Sequence, residues 1–146
     1  MKANSASMPA LVHYELKPHH CELREVPVPK IGPDDVLLRT VAVGICGSDV
    51  HQYHNSHSWK VNVPVVLGHE FGGIVEEVGE NVKGFAPGDR VVSETAAVID
   101  ATSPFSRTGA YHLDPGRLGF GYGVDGAMAS YVRVPARCLH RVPDGL

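Results

Sequence analysis

The sequence predicts a mainly β domain folded as a small barrel, and three observations carry that prediction. Sixteen Gly and 11 Pro in 146 residues exceed the usual share of chain-punctuating residues, so turns are frequent and long helices few. Between that punctuation, short runs rich in β-branched residues recur with strand-like spacing. The size is that of one domain: 43% apolar and 20% charged residues over this length match an ordinary soluble chain and argue against disorder.

Taken in order, residues 1–10 carry one Lys and no apolar stretch, and are expected to form a flexible lead to a domain over 11–146. Strands are expected at Leu11–Glu15, Cys21–Val26 and Asp35–Val43, the last with partly alternating apolar positions. Gly47–His54 is the one helical candidate, a turn or two opened by the capping residue types Ser48 and Asp49. His51–Pro64 is polar and His-rich and reads as a surface loop. Strands resume at Gly73–Val78 and Asp89–Ser93. Ala96–Arg117 then breaks the pattern as a long excursion loop, and a structureless loop of that length needs a staple. Met128–Val134 and Cys138–Val142 complete the set; in the first, Arg133 interrupts an apolar run as a half-buried strand does. Pro143–Leu146 reads as the end of the domain.

Composition also narrows the partners. Thirteen Lys and Arg against 16 Asp and Glu give a net charge of −3, with no basic stripe to neutralise phosphates, so nucleic acid is excluded as an expected partner. No apolar run is long enough to span a membrane, and the start lacks a secretory signal, so no membrane association and a cytoplasmic location are expected. Cys21, Cys46 and Cys138 form no CxxC pair and suit a reducing compartment. Cys21 and Cys138 lie in strand-like segments and read as inert core residues.

Chemistry concentrates in two short stretches. Gly44–His51 holds a thiol, a hydroxyl, a carboxylate and an imidazole in Cys46, Ser48, Asp49 and His51; Gly68–Gly73 sets His69 and Glu70 among glycines. Cys sulfur, His nitrogen and Glu oxygen are all zinc donors, but spacing alone leaves a buried thiol and ordinary surface groups as the default readings. His54 and His57 read as solvated groups, and Trp59 either lines a pocket or covers the barrel. The run Gly121–Gly126 satisfies GxGxxG, yet the residues after it have strand character and end at Pro135. A dinucleotide fingerprint needs a helix there, so these glycines are expected to form a tight connection instead.

Gly68-His69-Glu70-x-x-Gly73 with Gly79 and Val82 resembles the zinc signature of medium-chain alcohol dehydrogenases, and Gly44–His51 resembles the segment that supplies their first zinc ligand. Similarity extends through Pro64–Leu67, Gly79–Val82, Pro87–Val91 and Gly126–Tyr131, covering about Leu11 to Leu146. The resemblance implies a GroES-like, partly open β-barrel with short helices. It further implies one catalytic zinc ion held by Cys46 and His69, with Glu70 as direct or water-mediated ligand. Asp49 is implied as the acid that orients the ligand His, and Ser48 and His51 as a proton relay for NAD(P)-linked oxidation of a small alcohol or polyol. The order Cys-Gly-Ser-Asp-Val-His is most similar to the polyol and threonine dehydrogenase branches.

Two departures from the family pattern qualify this. The family continues into a nucleotide-binding domain that supplies NAD(P) contacts and a further zinc ligand; that domain is missing from this chain, so it is expected to be inactive alone. Within 96–117 many members hold a structural zinc through four Cys. The matching positions here are Asp100, Ser103, Ser106 and Asp114, a donor set unsuited to zinc, so no structural zinc is expected. The reading is therefore the catalytic domain of a zinc-dependent alcohol or polyol dehydrogenase, with homo-oligomerisation left open. Its rival is a non-enzymatic GroES-like barrel serving as a structural or interaction module.

Overall fold

The computed structural model describes residues 7–146. Among these described residues, eight strands form two antiparallel sheets that do not close on each other. The smaller holds β2 (Cys21–Pro27), β1 (Ser7–His13) and β4 (Val65–Val66) in that order. The larger runs β7 (Tyr131–Pro135), β3 (Asp35–Val43), β5 (Phe71–Val78), β6 (Arg90–Ser93) and β8 (Leu139–Arg141). A mainly β, partly open barrel is thus what the chain forms. Two helices interrupt it, α1 (Gly47–Tyr53) and α2 (Pro104–Arg107). Among the described residues no helix is long and apolar enough to cross a membrane.

The core lies on the inner face of the larger sheet, where Val36, Leu38, Val75, Val91, Val132 and Val134 pack around Phe71 and Phe120, whose rings meet edge to face at 5.3 Å. β-branched residues on a pleated face bury well because their shape fills the gaps between strands. Ala10, Val12 and Val66 form a second, smaller cluster on the other sheet. The sheets are joined where Leu11 N–H donates to the Met128 carbonyl at 2.8 Å and Ala10 bridges to Ala129.

Several boundaries differ from expectation. β1 begins at Ser7 rather than Leu11 and pairs with β2 along its whole length, so residues 7–10 of the expected flexible lead are strand. Met8 and Ala10 alternate inward there, a pattern that residues without β-branching signal weakly. The rest of that lead, residues 1–6, lies outside the described residues. The excursion 96–117 carries α2 and a 3-10 turn at Tyr111–Leu113. Its base is closed by reciprocal backbone bonds between Val98 and Leu118, at 2.9 and 3.0 Å. Cys138 is a core residue, whereas Cys21 is only half-buried and lines a small apolar pocket beside α1.

The glycines of Gly121–Gly126 form a connection and lead into no helix. Gly121 has φ +78, and a Cβ there would stand 2.9 Å from the Gly68 amide nitrogen; a Cβ on Gly126 would stand 2.0 Å from the Gly68 carbonyl oxygen. These positions let two stretches of backbone touch, a close approach open only to glycine.

Candidate metal centre

Antiparallel pairing brings two distant motifs together. Val43, at the end of β3, faces Phe71, at the start of β5, and Gly44 N–H donates to the Glu70 carbonyl at 2.7 Å. Cys46 follows one strand and His69–Glu70 precede the other. One ligand atom each from Cys46, His69 and Glu70 therefore lie within 4.8 Å of one another. Gly44 makes room: a Cβ there would stand 2.7 Å from Glu70 Oε2. The neighbouring Gly68, with φ +95, packs so tightly against Met128 and Val43 that no side chain fits.

Cys46 is also the N-cap of α1, and Asp49 is its N3 residue. The Cys46 N–H donates to Asp49 Oδ2 at 2.9 Å, while Asp49 Oδ1 stands 3.5 Å from His69 Nδ1, an ion-pair distance rather than a complete hydrogen bond. One carboxylate thus caps the helix and faces the histidine. Capping and histidine orientation are rival readings from sequence; in the structure both oxygens have work. Asp49 is 4% exposed, and it is the main cause that raises the His69 pKa to about 9, against the opposing effect of burial; Cys46 adds to the rise. The Cys46 thiol is held below its ordinary value by hydrogen bonding to Ser48 first and His69 next, with Glu70 opposing. Ser48 Oγ lies 3.1 Å from His69 Nε2.

Placement of the other expected residues is mixed. His51 is exposed one turn along α1, with Nδ1 3.0 Å from Ser56 Oγ and its ring edge-on to Trp59. Both of these contacts are with the loop that follows α1. His57 Nδ1 is 2.8 Å from the Trp59 carbonyl, and the His54 ring meets that of His19 edge-on at 5.2 Å. In the excursion, Asp100 Oδ1 accepts from Thr102 N–H, Ser103 caps α2 by accepting from Ser106 N–H, and Asp114 Oδ1 accepts from Gly116 N–H. Local turns use these side chains. A different latch ties this lobe to the barrel: the Tyr111 hydroxyl donates to Glu94, which also pairs with His140 at 2.8 Å.

Sequence reasoning passed over His13 and Gln52, both fully buried polar side chains. The signal for Gln52 was present, since it lies three residues after Asp49 and so on the same side of α1.

The donor chemistry suits zinc: a thiolate, an imidazole and a carboxylate, with the imidazole's second nitrogen turned to a buried acid. The alcohol dehydrogenase GroES-like domain model matches residues 32–144. L-threonine 3-dehydrogenase from Ruegeria pomeroyi is 44% identical over 125 residues, covering 84% of this chain and 36% of the relative. Sorbitol dehydrogenase from Halalkalibacterium halodurans is 40% identical over 139 residues, covering 95% and 40%. Among solved structures, 2R,3R-butanediol dehydrogenase from Bacillus subtilis superposes with a TM-score of 0.83 at 34% identity, over 96% of this chain and 42% of that one. The chain spans well under half the length of these relatives. With the family model covering most of its residues, the chain belongs to the alcohol dehydrogenase GroES-like domain family.

Proposed function

We propose that this chain forms the catalytic-domain part of a zinc-dependent alcohol or polyol dehydrogenase working with NAD(P), and that Cys46, His69 and Glu70 hold its one zinc ion. The convergence of those three side chains within 4.8 Å, backed by buried Asp49, carries the reading. A purely structural barrel has no use for such a cluster. Bound there, zinc would supply Lewis acidity toward an alcohol oxygen.

The protein's own groups have separable tasks. Asp49 holds the His69 ring by its Nδ1 side and leaves Nε2 for the metal. Ser48 Oγ, beside Nε2, is placed to take the proton of a substrate hydroxyl, and His51, exposed to solvent, is the group that passes it outward. In this structure the His51 ring points to Ser56, so the relay needs a rotation of that side chain. The relatives' names cite threonine, sorbitol and butanediol, which supports an alcohol or polyol as the substrate class. Hydride acceptance falls to a nucleotide-binding domain outside this chain, because the described sheets are antiparallel and contain no βαβ unit.

The test is zinc content by elemental analysis, with cobalt substitution to count thiolates. One equivalent of metal, one thiolate in the cobalt spectrum, and loss of both in a Cys46→Ala, His69→Ala double variant are expected. Undiminished zinc in that variant overturns the assignment.

A further inference from the structure

The connection between β1 and β2 is fastened to the end of α1, and two histidines meet at that seam. His19 has a left-handed backbone, φ +65, uncommon for a residue other than glycine, and its N–H donates to the Tyr53 carbonyl at 2.6 Å. His54 is the C-cap of α1, with its N–H donating to the Val50 carbonyl at 3.0 Å. The backbone beneath each imidazole is therefore held by a hydrogen bond. Around the seam the rings of His19, Tyr53 and His54 form a triangle: centroids are 4.7 Å apart for His19 and Tyr53, 5.3 Å for Tyr53 and His54, and 5.2 Å for the two imidazoles. Both histidines are exposed, and among the described residues no hydrogen bond or ion pair engages either ring. Their nitrogens are free to bind something else.

The spacing of the imidazoles has a chemical meaning. A zinc–nitrogen bond of about 2.0–2.1 Å, plus about 1.1 Å from nitrogen to ring centre, puts each centroid about 3.2 Å from a shared ion; at a tetrahedral angle two such centroids stand about 5.2 Å apart. That is the distance between His19 and His54. At a right angle, as in square-planar or octahedral shells, the same bonds give about 4.5 Å, so the spacing favours a tetrahedral ion. Each ring turns freely about its metal–nitrogen axis, and the 86° between the ring planes is compatible with a shared ion.

We propose that His19 and His54 form a separate divalent-metal site, taking a zinc-like tetrahedral ion with water completing its shell and bracing the end of α1 against the β1–β2 connection. The inference goes beyond the zinc reading above and does not depend on it, since neither residue belongs to the Cys46, His69 and Glu70 cluster. With only two protein ligands, both exposed, this ion exchanges readily. A dialysed chain loses it, and the one-equivalent count expected for the cluster is unaffected.

The experiment titrates zinc ions into the full chain already given one equivalent, at mildly alkaline pH because a ligating imidazole must be neutral, and follows the imidazole C–H signals of every histidine by NMR. The signals of His19 and His54 are expected to move together, with one shared midpoint in the micromolar range. His19→Asn keeps a residue type at ease in the left-handed region. It is expected to weaken the His54 response by about tenfold or more, and His54→Gln that of His19 equally, because each removes one of only two protein ligands. Zinc beyond the first equivalent should raise the urea midpoint of the parent and of neither variant. Separate midpoints for the two imidazoles, a His54 signal that keeps the parent's midpoint in His19→Asn, or signals that stay still at millimolar zinc each overturn the inference. Filling of the cluster is read apart, at His69: a chain whose His69 signal never moves defeats the zinc reading, while His19 and His54 still report on their own site.

Discussion

Replacing Gly126 by Ala tests whether the glycine-rich run is a backbone contact. The new Cβ would stand 2.0 Å from the Gly68 carbonyl oxygen and 2.6 Å from that of Leu67, where real contacts stay above 3.0 Å. One stretch of backbone must retreat by about 1 Å. Three backbone hydrogen bonds cross this contact: Gly126 N–H to Val66 at 2.8 Å, Ala127 N–H to Gly68 at 3.0 Å and Met128 N–H to Leu67 at 2.8 Å. At about 1 kcal/mol net for each bond, losing them costs about 3 kcal/mol, a large part of a domain's total stability. Urea unfolding should show the midpoint falling by about 1–3 M at ordinary slopes. Gly47→Ala is the control, since a Cβ there meets nothing within 4 Å, and it should be neutral or slightly stabilising. Zinc affinity should drop in Gly126→Ala as well, because Leu67 and Gly68 lead directly into His69. A Gly126→Ala chain within about 0.5 kcal/mol of the parent would refute the close-contact reasoning. Loss of NAD(P) affinity without loss of stability would make the run a nucleotide site after all.

Further outcomes follow from the same geometry. Zinc affinity is expected to climb with pH up to about 9 and then level off, because His69, raised first by Asp49, must shed its proton before Nε2 can ligate; chelator competition between pH 7 and 9 with no slope would contradict this. Amide exchange should be fast across residues 99–116 and slow at the Val98–Leu118 base, and uniform protection would show that packing has replaced a metal staple. Tyr111 first, and His140 next, hold the Glu94 pKa below its unfolded value of 4.5, so this latch contributes fully above pH 4.5 and is lost as pH falls from there; exchange in the lobe should quicken in that window before the barrel melts. The 146-residue chain alone should show no NAD(P)-linked turnover of secondary alcohols or polyols, since hydride transfer requires an aligned nicotinamide about 3–3.5 Å from the donor carbon; absorbance change with any substrate of a panel would refute it.

The strands were most legible where β-branched residues run together. β3 occupies Asp35–Val43 as expected, and β2 and β5 differ by one or two residues. β1 was cut short because Ser7, Met8, Pro9 and Ala10 carry no β-branched signal, and only the register with β2 reveals them as strand. β4 is two residues long, too short for any periodicity. α2 is only four residues long, although Ser103 followed by Pro104 is a helix-start signal in its own right. That Cys46, His69 and Glu70 stand out as candidate ligands was legible because ligand chemistry restricts residue type, and the structure brings their ligand atoms within 4.8 Å. The burial of His13 and of Gln52 was not, since it is set by the packing around each and either residue type alone reads as surface.

What no motif reveals is the register that makes the two halves of the cluster meet. β3 and β5 pair Val36 with Val78 and Leu37 with Glu77, then shift so that Leu38 faces Val75, and shift again before Ala42 meets Gly72. The first irregularity adds a residue on β5 and the second adds Val41 on β3, so the register at Val43–Phe71 is the one set at the far end of the strands. A single bulge would leave every later pair one residue out, and a one-residue slip moves a strand by about 3.3 Å and turns its side chains to the opposite face. Cys46 and His69 lie only three and two residues beyond that last pair. A slip of that size equals most of the 4.8 Å span that now contains all three ligand atoms. The two compensating bulges therefore keep the cluster closed while letting the middle of the sheet bend, and the residue added on β3, Val41, is left 63% exposed.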